Sequence, residues 1–253
     1  HHSARFKHVE VVKRRHNIGL AKNIIGAVTE VVSKHGKIIV VEDDIVTSPG
    51  FLEYMNSALE FYEEERRVWH IAAHTEINLP GRKDEIFLWR GMNCWGWATW
   101  ENRWAHFEKN PQKLIIEFDR EMIYRFDLDG SANFWSQVLA NATHKIDTWA
   151  IFWSAAIFKS GGLCVNPYFS YARNIGFDGS GIHCRPDSAK LSSQPLNLEG
   201  KFNGKSNLIE DDFAVSLLRR AYTPKKNVRY LIVKFLELCR AKHFLINLLQ
   251  KRR

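Results

Sequence analysis

A chain of 253 residues with 45% hydrophobic and 25% charged residues has the make-up of a folded domain, which excludes a disordered polymer. No run approaches the roughly 18 apolar residues of a membrane-spanning helix. The charge balance, 36 basic against 28 acidic side chains or +8, favours a negatively charged partner such as a nucleotide phosphate or an anionic membrane face. The basic residues are dispersed and carry no recognition motif, so nucleic acid is not the expected partner. Cys94, Cys164, Cys184 and Cys239 show neither CxxC spacing nor a Cys/His cluster, which predicts free thiols in a reducing, cytoplasmic setting.

In chain order, Phe6 to Val12 reads as a short strand, followed by a basic loop that Gly19 closes. Leu20, Ile24, Ala27, Val28, Val31 and Val32 recur at helical spacing, and Gly36 stands where a C-cap belongs. The β-branched run Ile38-Ile39-Val40-Val41 predicts a strand covered on both faces. It ends in Glu42-Asp43-Asp44. Ser48-Pro49 reads as an N-cap with proline at the first helical position, opening a helix to about Arg66. Val68 to Ala73 predicts another strand. Alternation of this kind implies a parallel α/β sheet.

Downstream come an aromatic stretch from Phe87 to Trp104, helices over Asn133–Asn141 and Thr148–Phe158, and a strand over Leu163–Val165. A glycine-rich loop runs from Asn174 to His183. Residues 185 to 207 lack periodicity, and Glu210-Asp211-Asp212 opens a helix whose dipole it complements. The basic amphipathic stretch Val228 to Leu249 reads either as a helix packed on the domain or as one lying on an anionic membrane surface. The expected division is a core over 1–184 and a variable loop with a basic helical region over 185–253.

The acidic triplet is the strongest chemical signal. Ligands of open α/β sheets bind at the carboxyl ends of strands. Three adjacent carboxylates at such an end repel one another unless a hard divalent cation or hydrogen-bond donors offset the charge. The alternative is a solvated acidic turn that caps the helix near Pro49.

Val40-Val41-Glu42-Asp43-Asp44, with Phe51-Leu52-Glu53-Tyr54, resembles the acidic motif of GT-A-fold glycosyltransferases, close to the form in N-acetylglucosaminyltransferase I. Arg15 to Asn23 resembles the donor-binding loop of bacterial family 2 enzymes. Cys94 to Trp100 and Asn174 to His183 resemble segments of bacterial haemolysin-like sugar transferases. The resemblance implies a GT-A-like, Rossmann-type, mostly parallel sheet flanked by helices, with a C-terminal helical extension. It also implies two further βα units, about 60 residues, ahead of the first residue.

By the same resemblance Asp44 binds Mn2+ or Mg2+, Asp43 the ribose, and Glu42 lies near the donor sugar. Asn17, Gly19 and Lys22 line the nucleotide pocket, His183 is a late metal ligand or phosphate contact, and Trp97, with Trp95 beside it, faces the acceptor. Inverting relatives place a catalytic aspartate just after a Thr-Trp pair. Here Ala150 and Ile151 follow Thr148-Trp149, leaving Asp147 and Asp129 as substitutes. The implied activity is inverting transfer of a sugar from a nucleotide-diphosphate sugar (UDP or another base) to a glycan or lipid-linked acceptor, in bacterial surface polysaccharide synthesis, at the inner membrane face. The competing readings are a non-catalytic carbohydrate- or nucleotide-binding module of the same fold and a nucleotidyltransferase.

Overall fold

The computed structural model describes residues 6–77, 79–81, 83–176 and 195–223. His183, Cys184, Cys239 and the basic stretch from Val228 lie outside the described residues. Seven strands and eight helices are described: α1 Leu20–His35, β1 Lys37–Val40, β2 Ile45–Thr47, α2 Phe51–Phe61, β3 Val68–Ala72, β4 Ile86–Trp89, β5 Trp97–Trp100, α3 Glu101–Trp104, α4 Pro111–Glu117, α5 Arg120–Phe126, α6 Trp135–Ala142, α7 Ala150–Lys159, β6 Leu163–Pro167, β7 Ala172–Asn174 and α8 Asp212–Tyr222.

The fold is α/β, but its sheet is mixed. Five strands lie in the order β1-β5-β3-β6-β4, and only β3 and β6 form a parallel pair. β5 is antiparallel to both β1 and β3, and β4 is antiparallel to β6. It follows that β1, β3 and β6 point the same way. The alternation of strands and helices does predict same-sense strands here. It does not predict that β5 enters between β1 and β3 in the opposite sense. β2 and β7 form a separate antiparallel ribbon.

Side chains alternate between two cores, as the period of a strand requires. Phe87, Trp89, Trp97 and Cys164 face one core with α1 and α8, while Ile86, Leu88, Ala98 and Val165 face the other with α2. β3 to β6 are buried throughout, whereas β1, at one edge of the sheet, is mostly half-buried and not covered on both faces as its β-branched run predicts. A third cluster joins α4 to α7 around Phe118, Trp135 and Phe152. Residues 195–223 pack on this core, with Ala214, Val215 and Leu218 in the first cluster and Leu208 in the second.

Several local expectations differ from the fold. Phe6 to Val12 forms no strand, and Phe6, Val9, Val11 and Val12 are exposed. α2 begins at Phe51, with Gly50 and not Ser48 at its N-cap, and ends at Phe61 rather than near Arg66. Arg103 holds the turns that follow the helix. Its buried guanidinium donates to the carbonyls of Tyr62 at 3.2 Å, Glu63 at 2.8 Å, Glu65 at 3.0 Å and Val68 at 3.3 Å, and it sits 4.5 Å over Trp100. The Tyr62 and Glu65 oxygens also accept the amides of Glu65 and Val68. Arg103→Met leaves four carbonyls without this donor and is expected to cost about 3 kcal/mol of stability in urea unfolding. An unchanged midpoint would remove this explanation.

Other expectations hold. α1 ends at the left-handed Gly36. The Asp211 side chain accepts from the Ala214 amide at 3.0 Å and caps α8, whose first turn carries Asp212. Cys94 and Cys164 are free thiols. No helix among the described residues is long and apolar enough to cross a membrane.

Candidate functional site at the carboxyl ends of the same-sense strands

β1 ends at Val40, and the chain turns through Glu42, Asp43 and Asp44 into the β2–β7 ribbon. The Ile45 amide donates to the Glu42 carbonyl at 3.1 Å and closes the turn. Asn174 on β7 then fixes Asp44. Its Nδ2 donates to Asp44 Oδ2 at 2.8 Å, while its own Oδ1 accepts from the Gly176 amide at 2.7 Å. The Ile175 amide donates to the Asp44 carbonyl at 2.9 Å. Residue 176 has to be small, since a Cβ there would stand 3.1 Å from Asp44 Oδ2 and 3.2 Å from Asn174 Oδ1. Asp44 Oδ1 has no hydrogen-bond partner among the described residues.

The electrostatics of the turn are unfavourable. Burial, then the charges of Asp44 and Asp43, push the Glu42 carboxyl up to about 7. Its folded value exceeds the unfolded one, so ionised Glu42 opposes folding above pH 7, and the penalty vanishes below about 4.5. Glu42→Gln is therefore expected to stabilise the protein at pH 8, in EDTA, by about 2 kcal/mol once solvent screening is allowed for. The gain should disappear by pH 4.5. Urea titrations at the two pH values check it, and a loss of stability at pH 8 would overturn it.

The same end of the sheet gathers groups from β3 and β5. His74, Thr75 and Glu76 follow β3, and Asn93, Cys94 and Trp95 precede β5, which begins at Trp97. The Asn93 Nδ2 donates to Glu76 Oε1 at 3.2 Å, and Asn93 Oδ1 accepts from the Trp95 amide at 2.9 Å. The Tyr222 hydroxyl, at the end of α8, hydrogen-bonds Glu76. Burial raises the Glu76 carboxyl above the ordinary range, against the lowering effect of its bonds to Tyr222 and Asn93. Burial also pushes the Cys94 thiol up to about 12, helped by the charges of Glu42, Glu76 and Asp44, so it is no nucleophile.

The aromatic residues sort by burial. Of the nine tryptophans, only Trp95 is not buried. Trp97 is fully buried, stacked on Trp149 at 5.0 Å and on His70 at 5.4 Å, so the ring expected to face an acceptor packs in the core instead. The left-handed Gly96, at φ 71°, separates the two residues. The Trp95 ring is half-exposed and lies 4.4 Å from that of His74. His74 Nδ1 donates to the Ala172 carbonyl at 3.1 Å, which leaves Nε2 as a buried lone pair with no donor.

The remaining sequence candidates are placed as follows. α1 runs back along β1 in the opposite sense, which puts Gly19 and the exposed Asn17 and Lys22 at the acidic end of the sheet. Asn17 Oδ1 accepts from the Gly19 amide at 2.8 Å. Asp43 is exposed on the turn. Asp147 is exposed and ion-paired with Lys109. Asp129 is held between Arg90, at 2.8 Å, and Arg219. Sequence reasoning missed Glu76 and Asn93, which are single polar residues in loops, and assigned no role to Asn174, although it opens the glycine-rich segment.

Among the described residues no group of three or more His, Cys, Asp or Glu side chains is disposed to hold a metal ion by itself. Glu42 and Asp44 still suit a hard cation whose other ligands are substrate oxygens, since magnesium sites use one or two carboxylates together with phosphates. A cleft of about 460 Å3 lies elsewhere, lined by His106, Phe107, Lys113, Phe152 and Lys159. Lys113 pairs with Glu108, and Lys159 with Glu117. No family model matches the chain, and no curated protein matches it significantly.

Proposed function

We propose that the protein is a metal-dependent glycosyltransferase that moves a sugar from a nucleotide-diphosphate sugar to a glycan or lipid-linked acceptor with inversion. The supporting observation is the acidic turn at the end of β1: mutually repelling carboxylates, with Asp44 fixed by Asn174 at a spot where a side chain at Gly176 would crowd both. Such repulsion is retained at little benefit to the fold, and a bound cation and diphosphate would offset it. Mn2+ or Mg2+, when bound, would stabilise the charge growing on the departing diphosphate.

The chain's own groups would do the rest. Asp44 presents Oδ1 towards the ligand while Asn174 holds Oδ2. Asn17, Gly19 and Lys22, at the same end of the sheet, would meet the nucleotide, with the Lys22 ammonium facing its phosphates. Trp95 offers the exposed aromatic face for a sugar ring.

A thermal-shift screen of UDP-, GDP-, CMP- and dTDP-sugars, with Mn2+ and with EDTA, tests the reading. A ligand at a hundredfold excess over Kd stabilises the folded state by about 2.7 kcal/mol. One nucleotide class should raise Tm by several degrees with Mn2+ and by much less in EDTA. No shift with any donor would end the proposal. A non-catalytic binding module is the second reading, favoured by the ion-pairing of both Asp147 and Asp129. It predicts the same thermal shift but no release of nucleoside diphosphate.

A further inference from the structure

We propose that Glu76, on the loop leaving β3, is the general base of the transfer, the carboxylate that takes the proton from the attacking hydroxyl. The assignment rests on the glycosyl-transfer reading above and names a group that reading lacks. In the step, an acceptor O–H gives its proton to Glu76 while its oxygen bonds to the anomeric carbon. The bond from that carbon to the diphosphate oxygen breaks, and its electron pair leaves on the nucleoside diphosphate. The proton on Glu76 then passes to solvent. No oxidant or reductant enters.

Four observations converge on Glu76. First, topology places it correctly: β3 points in the same sense as β1, with only β5 between them, so the loops after both strands open at one end of the sheet. Second, Trp97 at the start of β5 pairs with Val40 on one side and Ala72 on the other, so the segments carrying the acidic turn and Glu76 leave the sheet one strand apart. Third, Glu76 is held. Because the Trp95 amide donates to Asn93 Oδ1, the amide group of Asn93 has one orientation, and its Nδ2 must donate to Glu76 Oε1. Tyr222 holds the carboxyl from α8. A base aligned in this way needs no reorganisation at the moment of transfer.

Fourth, the surroundings suit a base and a sugar. The groups that face Glu76 are the Tyr222 hydroxyl, the Cys94 thiol and Asn93, with Glu42 and Asp44 beyond Cys94, and no cationic side chain is bonded to it. Burial therefore raises its proton affinity above that of an ordinary carboxylate, the direction that favours a general base. The half-exposed Trp95, whose amide is tied to Asn93, brings an aromatic wall next to it. His74 Nε2, the buried lone pair beside that ring, lacks the donor that a ligand hydroxyl would supply. Asp129 and Asp147 are by contrast engaged by arginine and lysine, which keep a carboxylate ionised but weakly basic.

The test uses the full chain with Mn2+ and the donor selected by the thermal-shift screen, reading release of nucleoside diphosphate with water as acceptor. Glu76→Gln should lower kcat by 100-fold or more while the donor-induced Tm shift stays within a degree of wild type. Wild-type kcat/KM should rise with pH through a single limb that Glu76→Gln lacks, and Glu76→Asp should recover part of the rate. Tyr222→Phe removes a bond that lowers the Glu76 proton affinity, so it should move the limb to higher pH. This milder variant keeps the test open if Glu76→Gln does not fold. Glu76→Gln with kcat within threefold of wild type, or an unmoved limb in Tyr222→Phe, overturns the base assignment alone. A wild-type chain that binds no donor, or binds and releases no product, overturns the transferase reading and the base with it.

Discussion

Asp44→Ala is expected to lower nucleoside diphosphate release by at least about 100-fold and to abolish the Mn2+-dependent part of the donor's thermal shift. The chain should still fold, because Asp44 is half-exposed, although the buried Asn174 amide loses its acceptor at a cost of about 1–3 kcal/mol. Asn174→Ala should act in the same direction but more weakly, on the order of tenfold, since it removes the group that orients the carboxylate and not the carboxylate itself. The ranking matters. A merely structural turn would show the two variants losing stability together with little change in donor affinity. Activity in Asp44→Ala equal to wild type would refute the ligand role.

Acid should unfold the protein well before its surface carboxylates are protonated. His70 and His74 are wholly buried, and burial holds both imidazoles down to about 4. His70 is locked neutral: Nε2 donates to the Asn93 carbonyl at 2.9 Å, so Nδ1 must accept from the Trp153 indole at 3.2 Å. Protonation of Nδ1 would break that bond. Each folded value lies below the unfolded one, near 6.5, so the unfolded chain takes up protons first. Stability is full above pH 6.5 and is lost as pH falls towards 4.

At pH 5 the loss is about 2 kcal/mol for each ring, or about 4 kcal/mol together, a large share of a typical domain's stability. Glu42 acts in the opposite direction between its unfolded value of 4.5 and its folded value of about 7, where it offsets part of that loss, so maximum stability is expected near pH 6.5. Urea midpoints measured from pH 8 to 5 check the shape of the curve. His70→Gln should remove most of the net fall between pH 7 and 5, even if it lowers stability at pH 7. A wild-type midpoint constant from pH 7 to 5 would show that neither imidazole is held as described.

Much of the secondary structure was legible because it is local. α1 follows from Val28 and Val32 on one face and Gly36 at its end, and β6 from a short apolar run after Gly161-Gly162. Phe6 to Val12 has strand-like composition yet stands exposed and unpaired, since a strand needs a neighbour that composition does not supply. The end of α2 was illegible because the turns that replace its last residues are held by Arg103, some 40 positions away.

The sequence by itself determined the acidic turn and its place at the end of a strand. Adjacent like charges and a β-branched run are properties of neighbouring residues. Only the tertiary structure decided that β5 enters the sheet reversed, that Trp97 is core while Trp95 is not, and that Asn174, Asn93 and Glu76 meet the turn. Asp44 and Asn174 lie 130 positions apart. Contacts of this kind come from strand order and from packing two cores against one sheet. No spacing along the chain encodes them, because any one strand can pair in either direction with any edge whose side-chain alternation matches its own.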